Sequence, residues 1–276
     1  MSATLNCRPI AGHIGAVVED FDLTQPLGPD TGQAIREAVA THGVIFFREQ
    51  NLDVEQHVAV AEALGPLRDK TLAAEKAAGR AQVGVISTGN GLAYEAATWH
   101  TDSTSEELPP SFCVLHMQQP AAVGGDTMWA SQAAAYEALS PSIKDLLDGK
   151  TAHHGYSAKH LVFNPHLSLT GIDHPVVVEQ PITGRKALFV NKVFTQQING
   201  LSFVESDNLL RLLFEHSVQP QFTCRWSWTK NDVAIWNNPY VQHFAIHDYG
   251  TSSRKIHRVE VEGTPMVMAK TSQQGA

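Results

Sequence analysis

Among the residues able to carry chemistry, one pair is placed for it. His100 and Asp102 are separated by a single residue in the run Trp99-His100-Thr101-Asp102-Ser103. On an extended strand, residues i and i+2 point to one face. An imidazole nitrogen and a carboxylate oxygen can then reach one metal ion. A second histidine from far along the chain would complete a two-histidine, one-carboxylate face with open coordination positions, the usual arrangement for non-haem Fe(II) oxygenases. The triplet alone is weak grounds. The chain has 14 histidines, so a chance His-x-Asp is expected, and an edge-strand histidine beside a surface aspartate is the plainer account.

Other chemistry is sparse. Cys7, Cys113 and Cys224 are far apart and form no C-x-x-C, which excludes a disulfide framework and a structural zinc site and makes a reducing cytoplasmic setting the default. No Gly-rich phosphate loop or dinucleotide fingerprint occupies a strand-to-helix position. Residues 150–175 carry His153, His154, His160, His166 and His174 with little periodicity. An ordinary solvent-facing loop and a site-covering lid are both open there.

The elements that must position the pair follow from hydrophobic period and turn residues. Short strands are expected over residues 5–19. A helix should start at Pro29-Asp30 and run to Thr41 with Ile35, Ala38 and Val39 inward. Gly43 to Phe47 reads as a buried strand. A second helix opens between Asn51 and Glu55 and ends at Gly65-Pro66. Residues 68–81 read as a loop or short surface helix. Strands follow at Val83–Ser87, Phe112–Met117 and after Gly124-Gly125. Helices follow over Ser131–Leu139 and from Ser140-Pro141 to Leu147. Strands at His174–Val178 and Lys186–Val190 flank a turn at Gly184-Arg185. A long helix fills Ser202–Ser217, and 223–228, 232–236 and 255–261 are further strands. Many short strands with scattered helices favour a closed or sandwiched antiparallel core over a doubly wound sheet.

Composition sets the outer bounds. The 276 residues, 43% hydrophobic, suffice for a substantial core, so residues 1–276 are expected as one domain with a frayed tail over about 270–276. The net charge is −8 and no Lys/Arg run occurs, which argues against a general nucleic-acid surface. No run approaches 18 apolar residues, so no membrane-spanning helix is expected.

Several separated blocks agree with one another. They are Trp99-His100-Thr101-Asp102, Gly124-Gly125-Asp126-Thr127, Gly184 to Asn191, and Trp226 through Arg258. In order and spacing they resemble the taurine dioxygenase family of Fe(II)/2-oxoglutarate-dependent oxygenases, over nearly the whole chain. The resemblance implies a mainly β fold with α elaborations around a double-stranded β-helix (jelly-roll, cupin-like) core. It implies iron ligands His100, Asp102 and His243, with His243 preferred to His247 on its spacing to Trp236 and Arg254. It implies Arg254 and Thr127 as the groups holding the distal carboxylate of 2-oxoglutarate, a task suited to a planar guanidinium. Arg258 matches a residue that receives the substrate anion in sulfonate-oxidising members. Lys70, Ser103 and Phe194 fall near the expected substrate pocket. The run Asn237-Asn238-Pro239 departs from the family pattern and leaves taurine itself in doubt.

The activity so implied uses Fe(II), with 2-oxoglutarate and O2 as co-substrates. It hydroxylates an unactivated C–H bond of a small molecule, with succinate and CO2 as co-products. The retained carboxylate of Asp102 favours hydroxylation over halogenation. Lys70, Arg254 and Arg258 together favour a small organic anion, and hydroxylation beside a sulfonate, sulfate or ether would release that group. Oxidation of a neutral natural-product intermediate, including desaturation or epoxidation, is the alternative. A non-catalytic metal-binding scaffold and a zinc hydrolase are further readings, disfavoured by having both an iron face and a co-substrate clamp. A dimer or tetramer is expected only by analogy with the family.

Overall fold

The computed structural model describes residues 5–69, 75–87, 96–156 and 171–270. In chain order, strands β1 (Asn6–Pro9) and β2 (Ala16–Glu19) precede helix α1 (Pro29–His42) and strand β3 (Val44–Phe47). Helix α2 (Val54–Glu62) is followed by β4 (Glu75–Lys76), β5 (Gly84–Ser87), β6 (Phe112–Gln119) and β7 (Thr127–Ser131). Then come α3 (Gln132–Glu137), α4 (Pro141–Leu147), β8 (Thr151–His154), β9 (Ile172–Pro175), β10 (Val177–Glu179), β11 (Lys186–Leu188) and β12 (Thr195–Ile198). Helix α5 (Phe203–Ser217) leads to β13 (Thr223–Trp226), β14 (Val233–Asn237), β15 (Val241–Ala245) and β16 (Lys255–Glu260).

Local chemistry explains where the helices begin and end. Pro29 presets the first turn of α1, and Gly43, at φ 74°, closes it by donating its N–H to Val39. Asp53 and Gln56 cap α2 reciprocally, so it starts three residues after Asn51. Ser202 and Glu205 form the same box on α5.

The main sheet has the order β1-β2-β3-β14-β6-β16-β5-β4. Its pairs are antiparallel except β2 with β3. Successive residues of β3 serve opposite faces, as a strand requires. Ile45 and Phe47 pack outward under α1 and α2, with Ile35, Val58, Val114 and Val259. Val44 and Phe46 pack inward with Cys113, Leu115, Met117 and Trp236. A second sheet, β13-β7-β15, faces them and contributes Trp129, Trp226 and Val241. The Phe46 and Trp226 rings stack 4.1 Å apart, and the edge of Trp129 meets Phe46 at 5.3 Å. Burying several large aromatics between the sheets supplies a large share of the apolar driving force. A mixed β-sheet core with helical elaborations is therefore what the chain forms.

Several expectations need correction. Residues 101–105 are a turn, not a strand: His100 makes a single antiparallel bridge, and the chain then bends through Ser103 at φ 54°. Within 68–81, residues 75–76 form β4, and a short 3-10 turn follows. Both ends of 150–175, where a solvent-facing loop and a site-covering lid are both open, are ordinary sheet. β8 pairs with β9 and β12, and His154 and His174 are buried. Residues 157–170 lie outside the described residues. The strand expected over 174–178 splits into β9 and β10, because Val176 donates its N–H to Lys150. The chain is docked as far as Lys270, where Ala269 donates to the Val177 carbonyl and Lys186 donates to that of Lys270, and the frayed tail expected over about 270–276 lies, from residue 271, outside the described residues.

Candidate metal and co-substrate site

The site lies where β15, the turn after His100 and the loop before β7 meet. His100 and His243 exchange backbone hydrogen bonds, at 3.1 Å from His100 to His243 and 2.8 Å in return. That exchange sets their rings 4.1 Å apart. Thr101 pins the turn from its side chain by donating to the Val241 carbonyl at 2.8 Å. Asn238 pins it from the other side. Its Oδ1 accepts from the Asp102 N–H, and its Nδ2 donates to the carbonyls of Asp102 and Pro110. Asp102 is thus delivered by a clamped bend, and the alternation of a strand plays no part.

One ligand atom each from His100, Asp102 and His243 lies within 4.8 Å of the others. Asp102 Oδ1 is 3.4 Å from His100 Nε2, and Oδ2 is 3.7 Å from His243 Nε2. His100 Nδ1 meets the Thr98 carbonyl at 2.7 Å, which calls for the proton on Nδ1 and leaves the Nε2 lone pair facing the site. Burial, and then the nearby His100, push His243 down to about 3, so its imidazole is neutral and able to bind a cation. Burial opposes the charge on Asp102, yet the His243 imidazole, the Arg258 guanidinium and the hydrogen-bonding His100 that face it hold its carboxyl well below the ordinary range. Two imidazole nitrogens and one carboxylate oxygen, buried together, fit a divalent first-row metal. Their convergence fits Fe(II), and these residues can hold it.

Thr127 and Arg254, the residues expected to hold the co-substrate, lie on β7 and just before β16. Thr127 opens β7 opposite Trp226 on one side and Ala245 on the other. Trp228 Nε1 donates to Thr127 Oγ1 at 3.0 Å. That uses the oxygen as an acceptor, so the hydroxyl proton can be given elsewhere. Arg254 is buried, and its Nε donates to the Gly125 carbonyl at 3.2 Å. Burial lowers its pKa from the ordinary value, while Tyr249 and Asp126 act the other way. A guanidinium so placed fits an anion such as a carboxylate. The Gly124-Gly125 turn sets the distance. Gly125 donates its N–H to Asp248, and a Cβ on Gly124 would stand 2.3 Å from Asp248 Oδ1.

The remaining expected residues are placed as follows. Arg258, on β16, puts Nη1 3.4 Å from Asp102 Oδ1. Ser103 is buried in the turn, where its carbonyl accepts from the Glu106 N–H. Phe194 is buried against Tyr156, with its N–H on Asn191. Lys70 lies outside the described residues. Sequence reasoning missed Asn238, Trp228, Asp248 and Glu260. Only Asn238 left a signal, in the Asn-Pro turn that departs from the family pattern.

Known proteins agree with this geometry. Residues 6–259 match the family model described as "Taurine catabolism dioxygenase TauD, TfdA family". The chain is 33% identical over 275 residues to an alpha-ketoglutarate-dependent sulfate ester dioxygenase of Pseudomonas putida, covering 94% of this chain and 90% of that protein. It is 31% identical to an alkylsulfatase of Acinetobacter baylyi, covering 94% and 85%. A taurine dioxygenase structure from Burkholderia xenovorans superposes with a TM-score of 0.84 at 34% identity, covering 96% of this chain and 93% of that one. The chain belongs to the TauD/TfdA family and is an Fe(II)- and 2-oxoglutarate-dependent dioxygenase that hydroxylates a small molecule.

Proposed function

We propose that this dioxygenase oxidises the carbon bearing the sulfate group of a small alkyl sulfate. The observation that carries the reading is Arg258, a cation on the inner face of β16 beside Asp102 and distinct from Arg254. The sulfate ester dioxygenase and the alkylsulfatase among the relatives support the same substrate class. His100, Asp102 and His243 hold the ion, and Arg254 with the Thr127 hydroxyl receives the distal carboxylate of 2-oxoglutarate. When bound, Fe(II) and 2-oxoglutarate use O2 to hydroxylate a C–H bond, with succinate and CO2 released. Arg258 orients the sulfate so that its carbon faces the metal. Trp129, Trp228 and Trp236 wall the inner face and keep water from it. Hydroxylation of R–CH2–OSO3⁻ gives R–CH(OH)–OSO3⁻, whose hydroxyl proton and C–O bond to sulfate are lost to yield an aldehyde and hydrogen sulfate.

The same reading takes the two facing sheets as the halves of a double-stranded β-helix, residues 1–276 as one domain, and the cytoplasm as its place. It places Ser103, Phe194 and Lys70 along the substrate pocket, and assembly into a dimer or tetramer is checked by sedimentation. Among the described residues no helix is long and apolar enough to cross a membrane. The deciding assay supplies Fe(II), 2-oxoglutarate and O2 with alkyl sulfates, sulfonates, aryloxyalkanoates and neutral compounds. Succinate matched by aldehyde and sulfate from an alkyl sulfate is the expected result. Succinate stimulated only by neutral compounds would refute the anionic class.

A further inference from the structure

Ile256, Arg258 and Glu260 alternate along β16, and Ile256 packs in the inner cluster while Val259 packs in the outer one. Arg258 and Glu260 therefore share the site's face. The Glu260 side chain is 1% exposed, and its Oε1 is 3.2 Å from Arg258 Nη2. A carboxylate buried this deeply needs a cation beside it. Among the described residues Lys76 also faces Glu260, and Arg68 is a further candidate, but its Nη1 is 4.0 Å away and its Nη2 is held by Glu106 at 2.5 Å. Arg258 consequently lies between two carboxylates, Asp102 and Glu260. Asp102, Cys113 and Glu260 also bring three ligand atoms within 4.8 Å. The guanidinium already supplies the cation for two of them, so the charge there does not require a second metal.

We propose that Glu260 sets the site's grip on the substrate anion by competing with it for Arg258, which makes Glu260 a specificity-determining residue. The inference rests on Arg258 being the anion's receiver. With Asp102 committed to the metal, Glu260 still holds Arg258, at 3.2 Å from its Nη2. An incoming sulfate must share that guanidinium with a fixed negative charge a few ångströms away. The arrangement weakens substrate binding and also eases departure of the sulfate product. Arg254, which faces Gly125 and Tyr249, lies outside this competition.

The test is calorimetric binding of hexyl sulfate to the anaerobic enzyme loaded with Fe(II) and 2-oxoglutarate, so no turnover is required. Glu260→Gln keeps the side chain's size and removes its charge. It is expected to tighten hexyl sulfate binding about tenfold, the lower end of what a neighbouring like charge does to an anion. Its 2-oxoglutarate affinity should be unchanged. In the R258Q background the same substitution should have no effect on hexyl sulfate. Unchanged or weaker binding in E260Q, or equal tightening with and without Arg258, overturns the proposal. If E260Q does not fold, E260D carries the test: it withdraws the charge by one methylene, and tightening supports the competition while no tightening refutes it. Turnover of hexyl sulfate by the unmodified enzyme separately tests the substrate reading. Binding by E260Q without turnover by the parent enzyme would sink that reading and leave the role of Glu260 standing.

Discussion

Asp102 is the residue on which the site converges. Both imidazoles, Arg258 and the Cys113 thiol lie within 3.7 Å of its oxygens. Replacing His100, Asp102 or His243 with Ala should reduce Fe(II)-dependent succinate formation to background, with secondary structure retained by circular dichroism. Retained turnover in any one variant would remove that residue from the ligand set. Arg254→Ala should raise the KM for 2-oxoglutarate by roughly 30-fold or more, the result of unpairing a buried charge. Arg254→Lys should recover little, because an ammonium cannot offer two parallel donors to one carboxylate. An unchanged KM in R254A would show that the clamp lies elsewhere.

At the scale of elements, the loop before β7 is held to its neighbours by atoms that allow no side chain. Gly124 has φ 73°, and an added Cβ would strike Asp248. Gly149 has a similar φ of 66° but nothing within 4 Å of its would-be Cβ. Gly149→Ala should therefore cost only backbone strain, about 1 kcal/mol in chemical denaturation, and leave 2-oxoglutarate use unchanged. Gly124→Ala should cost more and also raise the KM for 2-oxoglutarate, because the loop it displaces carries the Gly125 carbonyl that fixes Arg254. Equal behaviour of the two variants would mean that the loop does not position the clamp. The turn after His100 is likewise held from a distance. His154 Nδ1 and Asn191 Nδ2 both meet Thr104 Oγ1 at 3.0 Å, and His174 Nε2 meets the Glu106 carbonyl.

For the whole molecule, buried histidines tie stability to pH. On the outer face of the main sheet, His57 from α2 meets His116 on β6, with His257 on β16 opposite His116. Burial first, and then the neighbouring histidines, push His57 down to about 3. Burial also brings His116 down to about 4. Both are neutral when folded, whereas an unfolded histidine takes up a proton near pH 6.5. Their stabilisation is thus complete above about pH 6.5 and is lost as pH falls toward the folded values. Between pH 6 and 4, each histidine should steepen the fall by up to about 1.4 kcal/mol per pH unit. His116→Gln should flatten the curve measured by urea denaturation. An identical slope in that variant would exclude this origin of acid sensitivity.

Local signals written into a few residues were enough for much of this architecture. Pro29 and Gly43 bound α1, Ser202 and Glu205 start α5, and the apolar run Val44–Phe47 is buried on both faces. Each depends on neighbours in sequence, so the amino-acid order determines it. The candidate metal triad was legible for a different reason: His100, Asp102 and His243 keep a family's types and spacing. The bend that delivers Asp102 was not legible, because it is imposed by Asn238 and Val241, which lie 136 and 140 residues from the positions they hold. The strands β12 and β15 are short and only partly apolar, and they are strands because β8 and β7 pair with them. Glu260 reads in sequence as an ordinary charged residue near the end of a strand. Only the folded chain seals it from water and sets Arg258 beside it, because burial and charge pairing are properties of surfaces brought together in space.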